Sequence, residues 1–112
     1  MKVSKQNAEH YVWGDVCDGW HLVKNGTLSI IHERMPAGAS EVRHYHEQSR
    51  QFFFMLSGTA TLEVDGVPVV LAPQEGVEVP PLTPHQMLGS TTEPVEFLVI
   101  SSPTTRGDRV TL

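Results

Sequence analysis

The sequence predicts an all-β fold whose short strands close, or nearly close, on one another. Three observations carry that expectation. Apolar residues recur at alternate positions, as in Thr59 to Val64, where Ala60, Leu62 and Val64 interleave with Thr59, Thr61 and Glu63. Turn dipeptides such as Asn25-Gly26 and Asp65-Gly66 punctuate the apolar runs. No segment carries a helical repeat with caps at its ends. About eight to ten strands result, and closing them on one another removes the exposed edges that so many strands would leave. At 112 residues the chain is expected to form one domain, with residues 1–10 a flexible arm or a short first strand.

The elements follow in order. Tyr11 to Val23 is broken by Gly14, Asp15, Asp18 and Gly19, which suggests two edge strands around a turn. Its tryptophans, Trp13 and Trp20, are expected to pack against the outside of a sheet or a neighbouring subunit, with stacking on a ligand as the minority reading. Thr27 to Met35 is a strand that Pro36-Ala37-Gly38 ends, and Ala39 to His46 is the next. Gln51 to Leu56, Thr59 to Val64 and Val67 to Leu71 follow, and Pro68 must sit where no backbone N–H is needed. After the loop Ala72 to Gly76 comes the short run Val77 to Val79. The segment Pro80-Pro81-Leu82-Thr83-Pro84 can be neither helix nor central strand, and it delivers His85 at the head of a strand ending at Leu88. Val95 to Ser101 is the last clear strand, with a candidate terminal strand at Arg109 to Leu112. Arg106, Asp108 and Arg109 read as a charged surface tail, with closure over the barrel mouth as the lesser alternative.

Composition narrows the function. A net charge of −5 with no cluster of Lys or Arg argues against nucleic acid as a partner. No run approaches the roughly 18 apolar residues of a membrane span, and the polar start lacks the apolar run of a signal peptide. Cys17 stands alone and can form no internal disulfide; with no basic neighbour to activate it, it reads as a small buried hydrophobe. A cytoplasmic protein, without membrane or nucleic-acid partners, is the expectation.

His44 and His46 are separated by one residue, so on a strand both imidazoles face the same side. Three imidazoles (His44, His46 and the distant His85) and the amide of Gln51 on one interior face would make a first-row transition-metal site. The competing reading is that the histidines line a cavity without a metal. Strand parity adds Val42 to the face of His44 and His46, Phe53 and Met55 to that of Gln51, and Met87 to that of His85, which predicts an apolar pocket around a polar centre. Tyr45, Phe52 and Phe54 fall on the opposite parity and are expected to pack outside, in a homodimer contact. His10, His21 and His32 have no motif spacing. No nucleophile triad or phosphate-binding loop is visible.

These residues resemble the cupin superfamily. Gly38, His44, His46 and Gly58 fall on its first motif, with Gln51 where Glu is usual. Gly76, Pro80 and His85 fall on its second, with Leu82 at the usual turn glycine and Gly89 where Asn is common. The resemblance implies a small single-domain double-stranded β-helix, or jelly-roll, barrel, and a divalent metal (Zn, Fe, Ni, Mn or Cu) held inside it by His44, His46, His85 and Gln51. An amide adds no negative charge, so metal affinity should fall while Lewis acidity and attraction for an anion should rise. The expected function is a metal-dependent enzyme, oxygenase-like or an isomerase or lyase, on a small organic molecule with anions among the candidates. The alternative is a non-enzymatic module that binds or senses a small molecule in the same cavity. The inward positions beyond the ligands are mostly apolar and offer no identifiable general base, which tilts the expectation toward oxygen chemistry. Phe97-Leu98-Val99-Ile100 lacks the acid expected of a uronate-processing relative.

Overall fold

The computed structural model describes residues 1–112 and contains eleven strands and no helix. Six strands form one sheet: β1 (Glu9–Trp13), β2 (Cys17–Lys24), β3 (Ser29–Met35), β5 (Arg50–Ser57), β8 (Gly76–Val79) and β10 (Val95–Ser102), in the order β1-β2-β3-β10-β5-β8. Five form the second: β4 (His44–His46), β6 (Ala60–Val64), β7 (Val67–Leu71), β9 (His85–Leu88) and β11 (Arg109–Thr111), in the order β11-β4-β9-β6-β7. Every pairing is antiparallel, and chain neighbours such as β4 and β5 lie in different sheets, which is the jelly-roll arrangement.

Turn chemistry places the strands. Asp65 and Gly66 both adopt left-handed φ (51° and 85°), the conformation of a two-residue hairpin, and join β6 to β7. Asn25 Oδ1 accepts from the N–H groups of Thr27 and Leu28 and closes the turn into β3. Pro68 falls near the start of β7, an edge strand, where its lost N–H costs no ladder bond. The strand expected over Ala39 to His46 shrinks to His44–His46. Gly38 turns left-handed (φ 84°), Ala39 N–H bonds back to Pro36, and only Ser40 bridges to Leu88. That early turn breaks the alternation between Ala39 and Arg43.

The core lies between the sheets. Met35, Met55, Leu62, Met87, Val95 and Phe97 are all essentially inaccessible and form an apolar plug, joined by Ala60, Leu71 and Val79. Cys17 is buried there as a free thiol. Phe52 and Phe54 stack on the outer face with ring centres 6.2 Å apart, as parity predicted.

Candidate metal centre

β4 projects His44 and His46 inward on either side of the outward Tyr45, and both are buried. His85 heads β9 directly opposite His44 in the ladder. The ring centres lie 4.4 Å (His44–His85), 4.9 Å (His44–His46) and 5.8 Å (His46–His85) apart. One nitrogen from each ring lies within 4.8 Å of the others, so the three imidazoles could hold one metal ion.

Hydrogen bonds fix which nitrogen is free. Nδ1–H of His44 donates to the Val42 carbonyl (2.8 Å), and Nδ1–H of His85 donates to that of Thr83 (3.0 Å). Nδ1–H of His46 donates to Asp108 Oδ1 (2.9 Å). All three Nε2 lone pairs are thereby left for a ligand, the outer-sphere pattern of metal-binding histidine. Burial drives the His44 imidazolium down to about 4, against the pull of the Val42 carbonyl, and lowers His85 for the same reason. Neutral rings are the ligating form. Asp108 is pushed up by its burial, but bonds from Ser49 N–H (2.9 Å), His46 and Gln48 N–H (3.2 Å) outweigh this and hold it below the ordinary aspartate value.

Two atoms test whether a metal suits these residues. His85 Nε2 and Gln51 Oε1 are buried with no hydrogen-bond partner, while Gln51 Nε2 donates to Ser101 Oγ (3.1 Å) and so fixes the amide with its oxygen free. A buried acceptor without a donor costs roughly 1–3 kcal/mol. A cation would satisfy both atoms. The residues fit a divalent metal.

Beside the histidines lies a cavity of about 210 Å³. Phe53 lines it together with His44, His46 and Gln51. Met55 and Met87 face inward but lie deeper, fully buried in the plug and not on the cavity wall. Val42 corrects the parity argument outright: it is 54% exposed. The broken alternation before β4 turns it out and puts Glu41 into the cavity, where Oε1 accepts from Met87 N–H (3.0 Å). The supposed surface tail is also corrected, since Asp108 is buried against His46 and Arg109 lines the cavity. Trp13 lines the cavity too, with its indole N–H on the Asp18 carbonyl (3.1 Å), while Trp20 stays outside against His10 and His32.

The cavity is less apolar than the sequence suggested. Tyr11, Glu33, Glu41 and Arg109 all line it. Burial raises the carboxyl of Glu33 well above the usual range, with a further push from Glu41, and lifts Glu41 to about 7. Carboxyls that hold a proton near neutrality can serve as acid or base, which removes the ground for favouring oxygen chemistry. The signal for Glu33 was present in the sequence: it shares inward parity with Ile31 and Met35 on β3.

Comparison with known proteins agrees with this geometry. The chain is 32% identical over 92 residues to the probable oxidoreductase yanE of Aspergillus niger, a match covering 79% of this chain but 36% of that protein. The chain thus spans little more than a third of that relative. Among solved structures, the polyketide cyclase RemF of Streptomyces resistomycificus superposes with a TM-score of 0.84 at 17% identity, covering 100% of this chain and 86% of RemF. The nucleoside dehydratase Pac13 of Streptomyces superposes with a TM-score of 0.83 at 15% identity, covering 100% of this chain and 90% of Pac13. At such identities the likeness is one of fold. The family described as "Cupin domain" matches residues 31–101, a span that contains all three inward histidines and Gln51, and the chain belongs to that family.

Proposed function

We propose that this protein is a metal-dependent cupin enzyme that moves protons on a small anionic organic molecule, in an isomerase or lyase type of reaction. The observation that carries the proposal is the pair of buried, unpartnered acceptors, His85 Nε2 and Gln51 Oε1, beside two further imidazoles whose Nε2 atoms are free. His44, His46, His85 and Gln51 would hold one divalent transition metal. That ion would supply Lewis-acid polarisation of a bound oxygen with no carboxylate ligand to moderate it. Glu33 and Glu41 carry the exchangeable protons, Arg109 draws the anion, and Phe53, Ile31 and Val99 exclude water from one side of the cavity. Named cyclase and dehydratase activities in proteins of the same fold are consistent with proton-transfer chemistry in such a barrel.

An oxygenase-like reaction is the second reading, and the oxidoreductase name of the Aspergillus relative favours it. Elemental analysis of gently purified protein, followed by turnover assays with and without oxygen, tests both. Metal near one equivalent and anaerobic turnover support proton transfer; strict oxygen dependence supports the second reading. Metal content equal in wild type and His44→Ala overturns both. The proposal includes a homodimer formed through the outer Phe52 and Phe54 face in a cytoplasmic setting, which sedimentation velocity and cell fractionation would test.

A further inference from the structure

Tyr11, Gly19 and Glu33 stand in one row across three adjacent strands: Tyr11 pairs with Gly19, and Gly19 pairs with Glu33. Gly19 matters for what it lacks. A Cβ there would lie 2.3 Å from Tyr11 Cζ and 2.6 Å from the Tyr11 hydroxyl. The phenol therefore lies down across β2 in the space a side chain would fill, with its ring stacked on His21 (4.9 Å between centres, 30° between planes). This orientation carries the hydroxyl inward from β1 over the row toward Glu33. Arg109 reaches the same cavity from the other sheet.

The side chains of Tyr11, Glu33 and Arg109 line one cavity and form no hydrogen bond or ion pair with any group of the chain; Tyr11 and Glu33 are half-buried, and Arg109 enters from the exposed rim. Polar groups withdrawn from solvent, such as those of Tyr11 and Glu33, are ordinarily paired. We propose that Tyr11, Glu33 and Arg109 form a receptor for the carboxylate of a small monoanionic ligand. This rests on the function proposed above and names the group by which the substrate is held. One guanidinium supplies the charge, and the phenol and the protonated Glu33 add neutral donors. The wall suits one negative charge and not two. Arg109 is its one fixed cation, so a dianion such as sulfate would leave one charge without a partner beside the Glu33 and Glu41 carboxyls. The titratable groups around the receptor are Glu41, Cys17, His21, His44 and His46, with burial and Glu41 keeping the proton on Glu33 and Arg109 opposing them.

The test is calorimetric titration of the purified chain at pH 6 with propanoate, propanamide and sulfate, in metal-loaded and chelator-treated protein. Propanoate is expected to bind both forms, and to bind more tightly than propanamide or sulfate. Arg109→Gln should weaken propanoate about tenfold or more. Tyr11→Phe, which keeps the ring over Gly19, should weaken it about threefold to tenfold while leaving the thermal midpoint within about 2 °C. Glu33→Gln keeps neutral donors and should bind propanoate within about threefold of wild type at pH 6. It should lose less affinity than wild type when the pH is raised to 9, because one fewer carboxyl ionises beside the anion. The receptor is overturned if propanamide or sulfate binds as well as propanoate, or if Arg109→Gln leaves propanoate binding unchanged. Propanoate binding that vanishes with the metal but survives Arg109→Gln puts the anion on the metal, which overturns the receptor and leaves the metal proposal standing. A protein that binds no metal but discriminates propanoate as described overturns the metal proposal and supports the receptor.

Discussion

The cavity and the apolar plug are built from the same strands, and they differ in almost everything else. β5 sends Gln51 and Phe53 to the cavity and Met55 to the plug; β9 sends His85 to the metal centre and Met87 to the plug. β10 places Ser101 and Val99 against the cavity, then Phe97 and Val95 against the core. One inward face per strand therefore serves two purposes, divided by depth along the barrel. The plug holds the sheets together by burial, at about 25 cal/mol per Å² of apolar surface. The other end carries buried histidines, unpaired acceptors and carboxyls with raised proton affinity, all of which cost stability. If the division is real, substitutions at the two depths should fail in different currencies: metal and ligand at one end, folding free energy at the other.

The sharpest way to break the comparison is His44→Ala. Removing one of three imidazoles should reduce metal content to less than about a tenth of wild type, read by elemental analysis, while the fold persists around the intact plug. Met87→Ala, one turn of the alternation deeper than His85, should do the converse. A fully buried methionine truncated to alanine costs about 2–5 kcal/mol in denaturant unfolding, and the folded fraction should keep its metal. Loss of metal in folded Met87→Ala would erase the boundary between the regions.

Asp108→Asn addresses the layer behind the metal centre. Asp108 orients His46 and accepts from two backbone N–H groups, so the amide should weaken metal binding about 10–100-fold by competition with a chromophoric chelator. Glu41→Gln shifts the balance at the cavity in the opposite sense. A carboxyl lifted to about 7 by burial keeps its proton in the folded chain over a range where the unfolded chain has released it. Stability therefore falls as pH rises from the unfolded value near 4.5 to about 7, and that fall is absent in a glutamine, which still accepts from Met87 N–H. The shift sets a ceiling of roughly 3 kcal/mol, and partial access to cavity water brings the expected gain to about 1–2 kcal/mol at pH 7.5. Denaturant unfolding from pH 4.5 to 8 should show the difference between variant and wild type growing through this window and then levelling.

Face was legible in the sequence and depth was not. Alternation assigned Phe53, Met55 and Met87 to the interior; the one-residue spacing paired His44 with His46, and the second motif added the distant His85 that converges with them. Nothing in a period of two residues says how far along a barrel a side chain lies, so the two methionines were expected in a pocket they only underlie. Residues brought in by tertiary closure were harder still. Arg109 and Asp108 reach the site because β11 pairs with β4, setting Arg109 opposite His46, and a three-residue strand leaves little periodic signal. Tyr11 enters because it pairs with Gly19, which pairs in turn with Glu33, a relation visible only once the register is known.

The smallest effect is expected at Val42, where the periodic argument itself fails. Parity with His44 would put this side chain in the cavity, and Val42→Thr would then bury a hydroxyl there at a cost of about 1–3 kcal/mol unless it found a partner. The chain before β4 is not a strand, however. Gly38 reverses direction, Glu41 N–H bonds to the Met87 carbonyl, and the pleat restarts only at His44. Val42 consequently points to solvent and contributes to the metal centre only through its backbone carbonyl, which holds His44 Nδ1–H at 2.8 Å and is indifferent to the side chain. Val42→Thr should leave unfolding free energy within about 0.5 kcal/mol of wild type, with metal content and propanoate binding unchanged. A loss in either binding measurement would mean that the alternation does run through residue 42 and that Glu41, not Val42, is the residue facing outward.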